Sequence, residues 1–293
     1  MDFHHLKVFL AAARHLNYTR AGEELRLRQS TVSAHIKELE GELGLHLFER
    51  IGHRVALTEA GRLLEPIARL AVQGIKEVQL AADEYRGVAR GSLHLGASTT
   101  TGLYILPRLL AQFHTLYPEI ELRTTISNTS AIERMVLDAE VDFGFVGGHL
   151  ISGQLVSRQW LEDHIVFIAG PRHRFAAMRR IGIALLRQET LIQREDGSAT
   201  RATTERELQN AGCVFNGVIE LGHPEAIKEA VMSGLGVAFI SRFAVDREAK
   251  SGDLVIVPLR GMAPRRNLQI CYRPQKHLSN ADRALMAEAE GMT

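Results

Sequence analysis

Three short loops share one chemistry. Ser98-Thr99-Thr100-Thr101 follows the apolar run Leu93–Ala97 and precedes a helical apolar pattern from Leu103 to Leu116. Ser127-Asn128-Thr129-Ser130 lies between Ile120–Ile126 and the segment Ile132 to Leu137, and Gly197-Ser198-Ala199-Thr200 follows Leu191–Gln193 and opens a segment toward Leu208. Each loop sets hydroxyls and free backbone N–H groups at a helix start, beyond the C-terminal end of a strand. Open α/β sheets bind ligands at that place, and helix N-termini favour anions. One such loop reads as ordinary helix capping, whereas three together read equally well as a binding site.

A different chemistry sits near the N-terminus. Between Arg26 and Lys37 there is no acidic residue, while Arg26, Arg28 and Lys37 are basic. Thr19 is placed to cap a short helix through Ala21 and Leu25; a turn follows at 26–28, and a second helix spans about Gln29 to Glu40. At about 100° per residue, Val32, Ile36 and Leu39 share one face, leaving Ser30, Ala34 and Lys37 opposite, flanked by Thr31, Ser33 and Glu38. Two short helices across a tight turn, the second with a small, hydrogen-bonding outer face, follow helix-turn-helix logic. Beyond Gly44, Arg50-Ile51-Gly52-His53-Arg54 reads as the basic tip of a two-stranded wing able to hold phosphates or enter the minor groove.

These sites need scaffolds, and the sequence divides near residue 90 to supply them. Residues 1–90 carry apolar residues at helical spacing. After Gly91, short apolar runs alternate with helical segments, as in βαβ units around a parallel sheet. Between them, Thr58 and Glu59 open a long helix whose apolar stripe (Leu63, Leu64, Ile67, Leu70, Ala71, Ile75, Val78, Ala82) runs toward Gly87. Such a helix buries its stripe either on its own chain or, as favoured here, against a second subunit.

Composition narrows the function classes. The 293 residues carry 35 basic and 34 acidic side chains, so a uniformly basic, histone-like binder is excluded and any nucleic-acid surface is local. Cys213 and Cys271 are too few for a disulfide framework or a four-thiolate zinc site and read as core residues. Thirteen histidines are scattered apart from His4-His5, and no pair shows metal spacing. No P-loop, His-Glu-x-x-His or Gly-x-Ser-x-Gly motif is present, and Gly234-Leu235-Gly236 lacks the third glycine of a dinucleotide fingerprint. The reading is therefore not an enzyme, with no cofactor and no metal. Without a signal-peptide pattern or a membrane-length apolar run, a cytoplasmic protein is expected.

The N-terminal motifs then form a linked set. Asn17-Tyr18-Thr19-Arg20-Ala21-Gly22, Gln29-Ser30-Thr31-Val32-Ser33, Leu39-Glu40-Gly41-Glu42-Leu43-Gly44, Leu47-Phe48-Glu49-Arg50 and Leu57-Thr58-Glu59-Ala60-Gly61 occur in an order and spacing that resembles the LysR-type transcriptional regulators. The resemblance implies an α/β protein overall: a winged helix-turn-helix domain (1–58), a linker and dimerisation helix (59–90), and an effector-binding domain (91–293) similar to periplasmic binding proteins. Lobe I of that domain is expected at about 91–161 plus 266–293, and lobe II at about 162–265. It implies a sequence-specific regulator, usually an activator, that binds promoter DNA, takes a small-molecule effector between its lobes, and assembles as a homodimer or tetramer that contacts RNA polymerase. The DNA-contacting set would be Arg28, Gln29, Ser30, Thr31, Ser33, Ala34, Lys37, Arg50, His53 and Arg54. The effector set would be Ser98, Thr99, Thr100, Asn128 and Thr129 from lobe I, with Gln193, Ser198, Thr200 and His223 from lobe II, and Gly147-Gly148-His149 at the hinge.

Hydroxyl-rich loops without an aromatic wall point to a small, polar, anionic effector, and the resemblance of Gly96–Thr100 and Ile126–Thr129 to sulfur-assimilation and carbon-fixation regulators favours a sulfur-containing or phosphorylated metabolite. Arg28, Ser30 and Ala34 stand where many members carry serine, proline and arginine. The first change removes a cap worth about 1 kcal/mol, unless Ser30 assumes that role. The alternative reading is a solute-binding protein or small-molecule enzyme built on the two-lobed domain alone.

Overall fold

The computed structural model describes residues 2–52, 54–85, 91–150 and 152–292. The chain forms two compact units that meet in sequence near residue 88.

In the first unit, α1 (Phe3–His15), α2 (Tyr18–Leu25) and α3 (Gln29–Leu43) precede a hairpin of β1 (Phe48–Ile51) and β2 (Arg54–Leu57), and α4 (Glu59–Tyr85) follows. Val8, Phe9, Ala12, Val32, Ile36, Leu39 and Leu47 form the core. Asp2 caps α1. The cap of α2 is Asn17 and not Thr19: the Asn17 carboxamide oxygen accepts from the Thr19 and Arg20 amides at 2.9 and 3.1 Å. Asparagine is as good a cap as any hydroxyl residue, and it stands just before the helix, whereas Thr19 is already its second residue.

The apolar stripe of α4 splits between two faces. Leu64, Ala68 and Val72 join the core of their own unit, while Leu63, Ile67, Leu70 and Val78 are exposed on another face. Burial on its own chain thus applies to Leu64, Ala68 and Val72, while the second set stays exposed on this chain.

The second unit contains β3 (Gly91–Ser98), α5 (Thr99–Tyr104), α6 (Leu106–Leu116), β4 (Ile120–Ser127), α7 (Thr129–Leu137), β5 (Phe143–Gly147) and the long β6 (Val156–Ala169). There follow β7 (Ile181–Gly182), β8 (Thr190–Gln193), α8 (Ala199–Asn210), β9 (Gly217–Glu220), α9 (Pro224–Met232), β10 (Val237–Ser241), α10 (Arg242–Ser251), β11 (Val255–Ile256), β12 (Leu259–Arg260), β13 (Arg265–Tyr272) and α11 (Asn280–Glu290). Strands run in the order β4-β3-β5-β13-β6-β10-β8-β9. The trios β4-β3-β5 and β10-β8-β9 are internally parallel, whereas β6 and β13 run antiparallel to their neighbours, so the sheet is mixed and not wholly parallel.

Four apolar clusters lie along this sheet, two in each lobe. The larger in one lobe holds Leu95, Leu106, Phe113, Phe143, Phe145 and Trp160; the larger in the other holds Phe167, Phe175, Leu191, Val237 and Phe239. Strand β6 links them, since Val156–His164 pairs with β13 and Ile165–Ile168 pairs with β10. Two sets of clusters sharing one long strand make two lobes.

Candidate DNA interface and effector cleft

In the first unit the outer face of α3 is available. Arg28, Gln29, Ser30, Ala34 and Lys37 are exposed, and Thr31 and Ser33 are half-buried on its flank. Arg28 occupies the N-cap position with no side-chain cap hydrogen bond, so neither it nor Ser30 replaces the missing serine. The wing is held by a specific set of contacts. Glu40 accepts from the Leu47 and Phe48 amides at 2.7 and 3.2 Å, Thr58 Oγ1 donates to the His46 carbonyl at 2.7 Å, and the Gly61 amide donates to Thr58 Oγ1 at 3.0 Å. A Cβ on Gly61 would lie 2.2 Å from the Leu47 carbonyl oxygen, so the glycine is what lets α4 start against the wing. Arg50 and Arg54 project from the hairpin, exposed. His53 lies outside the described residues.

In the second unit, the starts of α5, α7 and α8 converge. Ser98, Thr99, Thr100, Asn128 and Thr129 from one lobe face Ser198, Ala199 and Thr200 from the other, around a cavity of about 170 Å³. Only about 10 Å³ of it admits a water-sized sphere, room for about one water molecule. The lobes touch here. Asn128 Nδ2 donates to the Asp196 carbonyl at 3.2 Å, and the Ser130 amide donates to the Gly197 carbonyl at 3.2 Å. A wider opening, about 790 Å³ against the 170 Å³ of the cavity, shares Thr129, Ser198 and Ala199 with it and is bordered by Gly148, His149, Arg201 and Arg206.

Sequence reasoning missed two residues of the cavity wall, Arg194 and Arg266. Both guanidiniums are buried. Arg194 follows β8; it donates to Glu195 through Nε and Nη2 at 2.7 and 2.8 Å, and from Nη2 to Thr99 Oγ1 at 3.1 Å. Arg266 opens β13 and donates from Nε to Asp163 Oδ2 at 2.8 Å and from Nη1 to Thr200 Oγ1 at 2.9 Å. Its Nη2 is buried with no hydrogen-bond acceptor, although it lies 2.8 Å from that same Asp163 oxygen. Gly147 leaves space for this group, as a Cβ there would come within 3.0 Å of the guanidinium carbon. Position after a strand was the one available signal for Arg194; nothing local marks Arg266.

Two expected effector residues stand apart from this cavity. Gln193 ends β8, paired in register with Glu220. His223 caps α9, with Nδ1 accepting the Glu225 amide at 3.3 Å. A second contact joins the lobes nearby: the Tyr104 hydroxyl donates to Glu225 Oε1, and Lys228 Nζ reaches Glu225 at 3.0 Å and Glu248 at 2.6 Å. Burial acts to raise the Glu225 pKa, but the Tyr104 and Lys228 hydrogen bonds outweigh it and hold the carboxyl below its usual value. Burial likewise pushes the Cys271 thiol up to about 12, which keeps it protonated and inert as a nucleophile.

The comparisons with known proteins agree with both units. The model of the bacterial regulatory helix-turn-helix protein, lysR family, matches residues 3–62, and that of the LysR substrate binding domain matches residues 86–292. The chain is 37% identical over 276 residues to the RuBisCO operon transcriptional regulator of Allochromatium vinosum, covering 94% of this chain and 91% of that one. The regulatory domain of CcmR from Synechocystis PCC6803, solved in complex with 2-PG, is 29% identical with a TM-score of 0.65, covering 70% of this chain and 98% of that one. Full-length OxyR from Pseudomonas aeruginosa shares the fold at 24% identity and a TM-score of 0.75, covering 100% of this chain and 94% of that one. Among the described residues, no helix is long and apolar enough to cross a membrane. With a helix-turn-helix unit, a two-lobed substrate-binding unit and relatives of matching length, this chain belongs to the LysR family of DNA-binding transcriptional regulators.

Proposed function

We propose that the protein is a cytoplasmic, non-enzymatic transcriptional activator whose DNA binding is controlled by a small anion held between its two lobes. The observation that carries the effector reading is the pair of buried guanidiniums, Arg194 and Arg266, at a cleft ringed by Ser98, Thr99, Thr100, Asn128, Thr129, Ser198 and Thr200. Charge-assisted hydrogen bonds from arginine match carboxylate, sulfate and phosphate oxygens, and three helix starts add backbone donors. The 2-PG bound by the CcmR domain supports a phosphorylated metabolite over a sulfur compound. We take lobe I as about 91–161 plus 266–293 and lobe II as about 162–265; β6 changes partner from β13 to β10 between His164 and Ile165, within a few residues of that division.

DNA is read by Gln29, Ser30, Thr31, Ser33, Ala34 and Lys37 in the major groove, with Arg28, Arg50, His53 and Arg54 on phosphates or the minor groove. The exposed face of α4 pairs with its copy, presenting two reading helices to a two-fold site, and two dimers assemble as a tetramer that engages RNA polymerase. A gel-shift of the full-length protein with its own upstream DNA tests this reading. A sequence-selective, salt-sensitive shift is expected, and its absence overturns the regulator assignment in favour of a small-molecule protein of the two-lobed type.

A further inference from the structure

Chain spacing hides one cluster that the fold assembles. His5 lies on α1, and His35 and Glu38 lie one turn apart on α3; one ligand atom from each falls within 4.8 Å of the others. His5 Nε2 is 3.0 Å from Glu38 Oε2, and His35 Nδ1 is 3.6 Å from that same oxygen. The latter distance is beyond hydrogen-bond reach, and His35 Nδ1 is buried with no hydrogen-bond partner. Its ring is held in place edge-on by the rings of His4 and His5, at centroid distances of 4.8 and 5.2 Å.

We propose that His5, His35 and Glu38 bind a divalent transition-metal ion of the zinc type, joining α1 to the DNA-reading helix. An ion about 2.1 Å from tetrahedral nitrogen and oxygen ligands holds them about 3.4 Å apart, close to the 3.0 and 3.6 Å from the two imidazoles to Glu38, and the imidazole nitrogens, within 4.8 Å of each other, close on the ion. Two imidazoles and a carboxylate make a borderline donor set that suits zinc and excludes calcium or magnesium as preferred occupants. In the ion-free chain His5 Nδ1 accepts the Asp2 amide at 3.4 Å, which leaves the ring proton on Nε2, 3.0 Å from Glu38 Oε2; an ion bound at Nε2 takes the place of that proton, which is released to solvent. Glu38 is largely exposed, which gives the ion a path in and the carboxylate freedom to adjust.

Calorimetric titration of tag-free, chelator-treated full-length protein with zinc chloride tests the proposal. One zinc per chain is expected, with at least a tenfold loss of affinity in His35→Ala and in Glu38→Gln, and no loss in the distant control His164→Gln. Because Glu38 is a surface residue, Glu38→Gln retains the fold, which circular dichroism checks. Zinc raises the melting temperature of the wild type and leaves that of Glu38→Gln unmoved. Absence of binding, or wild-type affinity in both site variants, overturns the assignment.

Discussion

Arg194 Nη2 donates to Thr99 Oγ1 at 3.1 Å, and this bond crosses from one lobe to the other. The donor nitrogen also serves Glu195, so its charge is neutralised locally yet directed at the cleft. An anion entering the cleft exchanges a neutral hydroxyl acceptor for a charged one, which strengthens the bond and shortens it. Since the cavity has room for only about one water, the proposed ligand would fit only with the lobes parted. Arg194→Gln is expected to weaken binding of small phosphorylated carboxylic acids by about tenfold to a hundredfold, the loss of a hydrogen bond to a charged group worth roughly 1.5–3 kcal/mol. Calorimetry on wild type and variant reads this directly; equal affinities would place the effector elsewhere.

The Arg266–Asp163 pair has a different expected outcome, because both side chains are almost wholly buried. Removing one partner leaves an uncompensated charge. Arg266→Met leaves Asp163 with the Ser241 hydroxyl at 2.7 Å, and a loss of about 3–5 kcal/mol is expected in urea unfolding of the effector-binding unit. A loss under 1 kcal/mol would show that water reaches Asp163 and that the pair is not the anchor described.

The Tyr104–Glu225 contact gives the molecule an acid-side sensitivity. The Glu225 carboxyl is held below its ordinary value in the folded protein, so its stabilising contribution is complete above the usual glutamate range. That contribution is lost as pH falls through the depressed folded value. Melting temperatures measured between pH 3 and pH 7 should therefore fall more steeply on the acid side in the wild type than in Glu225→Gln. Parallel curves would assign the contact no role in holding the lobes.

The uncapped start of α3 offers a gain. Arg28→Ser supplies the missing side-chain acceptor and is expected to stabilise the DNA-binding unit by about 1 kcal/mol. The same change removes a candidate phosphate contact, so DNA affinity should drop while the melting temperature rises. A melting temperature that stays flat or falls would mean that the α3 start is already satisfied in another way.

The legible parts of this protein were those set by local rules. The turn between α2 and α3, the helix starts at Ser98, Asn128 and Ser198, and the Thr58 cap all follow from residues within one turn of one another, whereas Thr99–Thr101 lie inside α5 and a break at Ile105 divides the single helix expected up to Leu116. Asn17 taking the place of Thr19 as a cap is an error of two positions, within the range over which two good capping residues compete. The first half of β6 was not legible, because Ser157, Arg158, Gln159 and Glu162 point outward and interrupt any apolar run. Arg266 escaped notice because its partners, Asp163 and Thr200, are far away in the chain. The His5–His35 approach was hidden for the same reason, since spacing rules see only neighbours. His223 was drawn into the effector set by its place at a helix start, where its imidazole in fact serves as the cap.

The exposed apolar face of α4 leads to an assembly prediction. Leu63, Ile67, Leu70 and Val78 recur at helical spacing with no partner in their own unit's core. Ile67→Lys with Leu70→Lys should convert the oligomer to monomers by light scattering and weaken DNA binding sharply, since a single reading helix loses its paired half-site. Unchanged mass would assign the subunit contact to another surface.

In the proposed function, occupancy of the cleft governs how the protein binds DNA. The most direct measurement is a footprint of the full-length protein on its own upstream DNA, with and without a small phosphorylated carboxylic acid, for wild type and Arg194→Gln. The ligand should alter the extent or affinity of the wild-type footprint and leave that of Arg194→Gln unaltered at the same concentration. A ligand response of equal size in both proteins would contradict it.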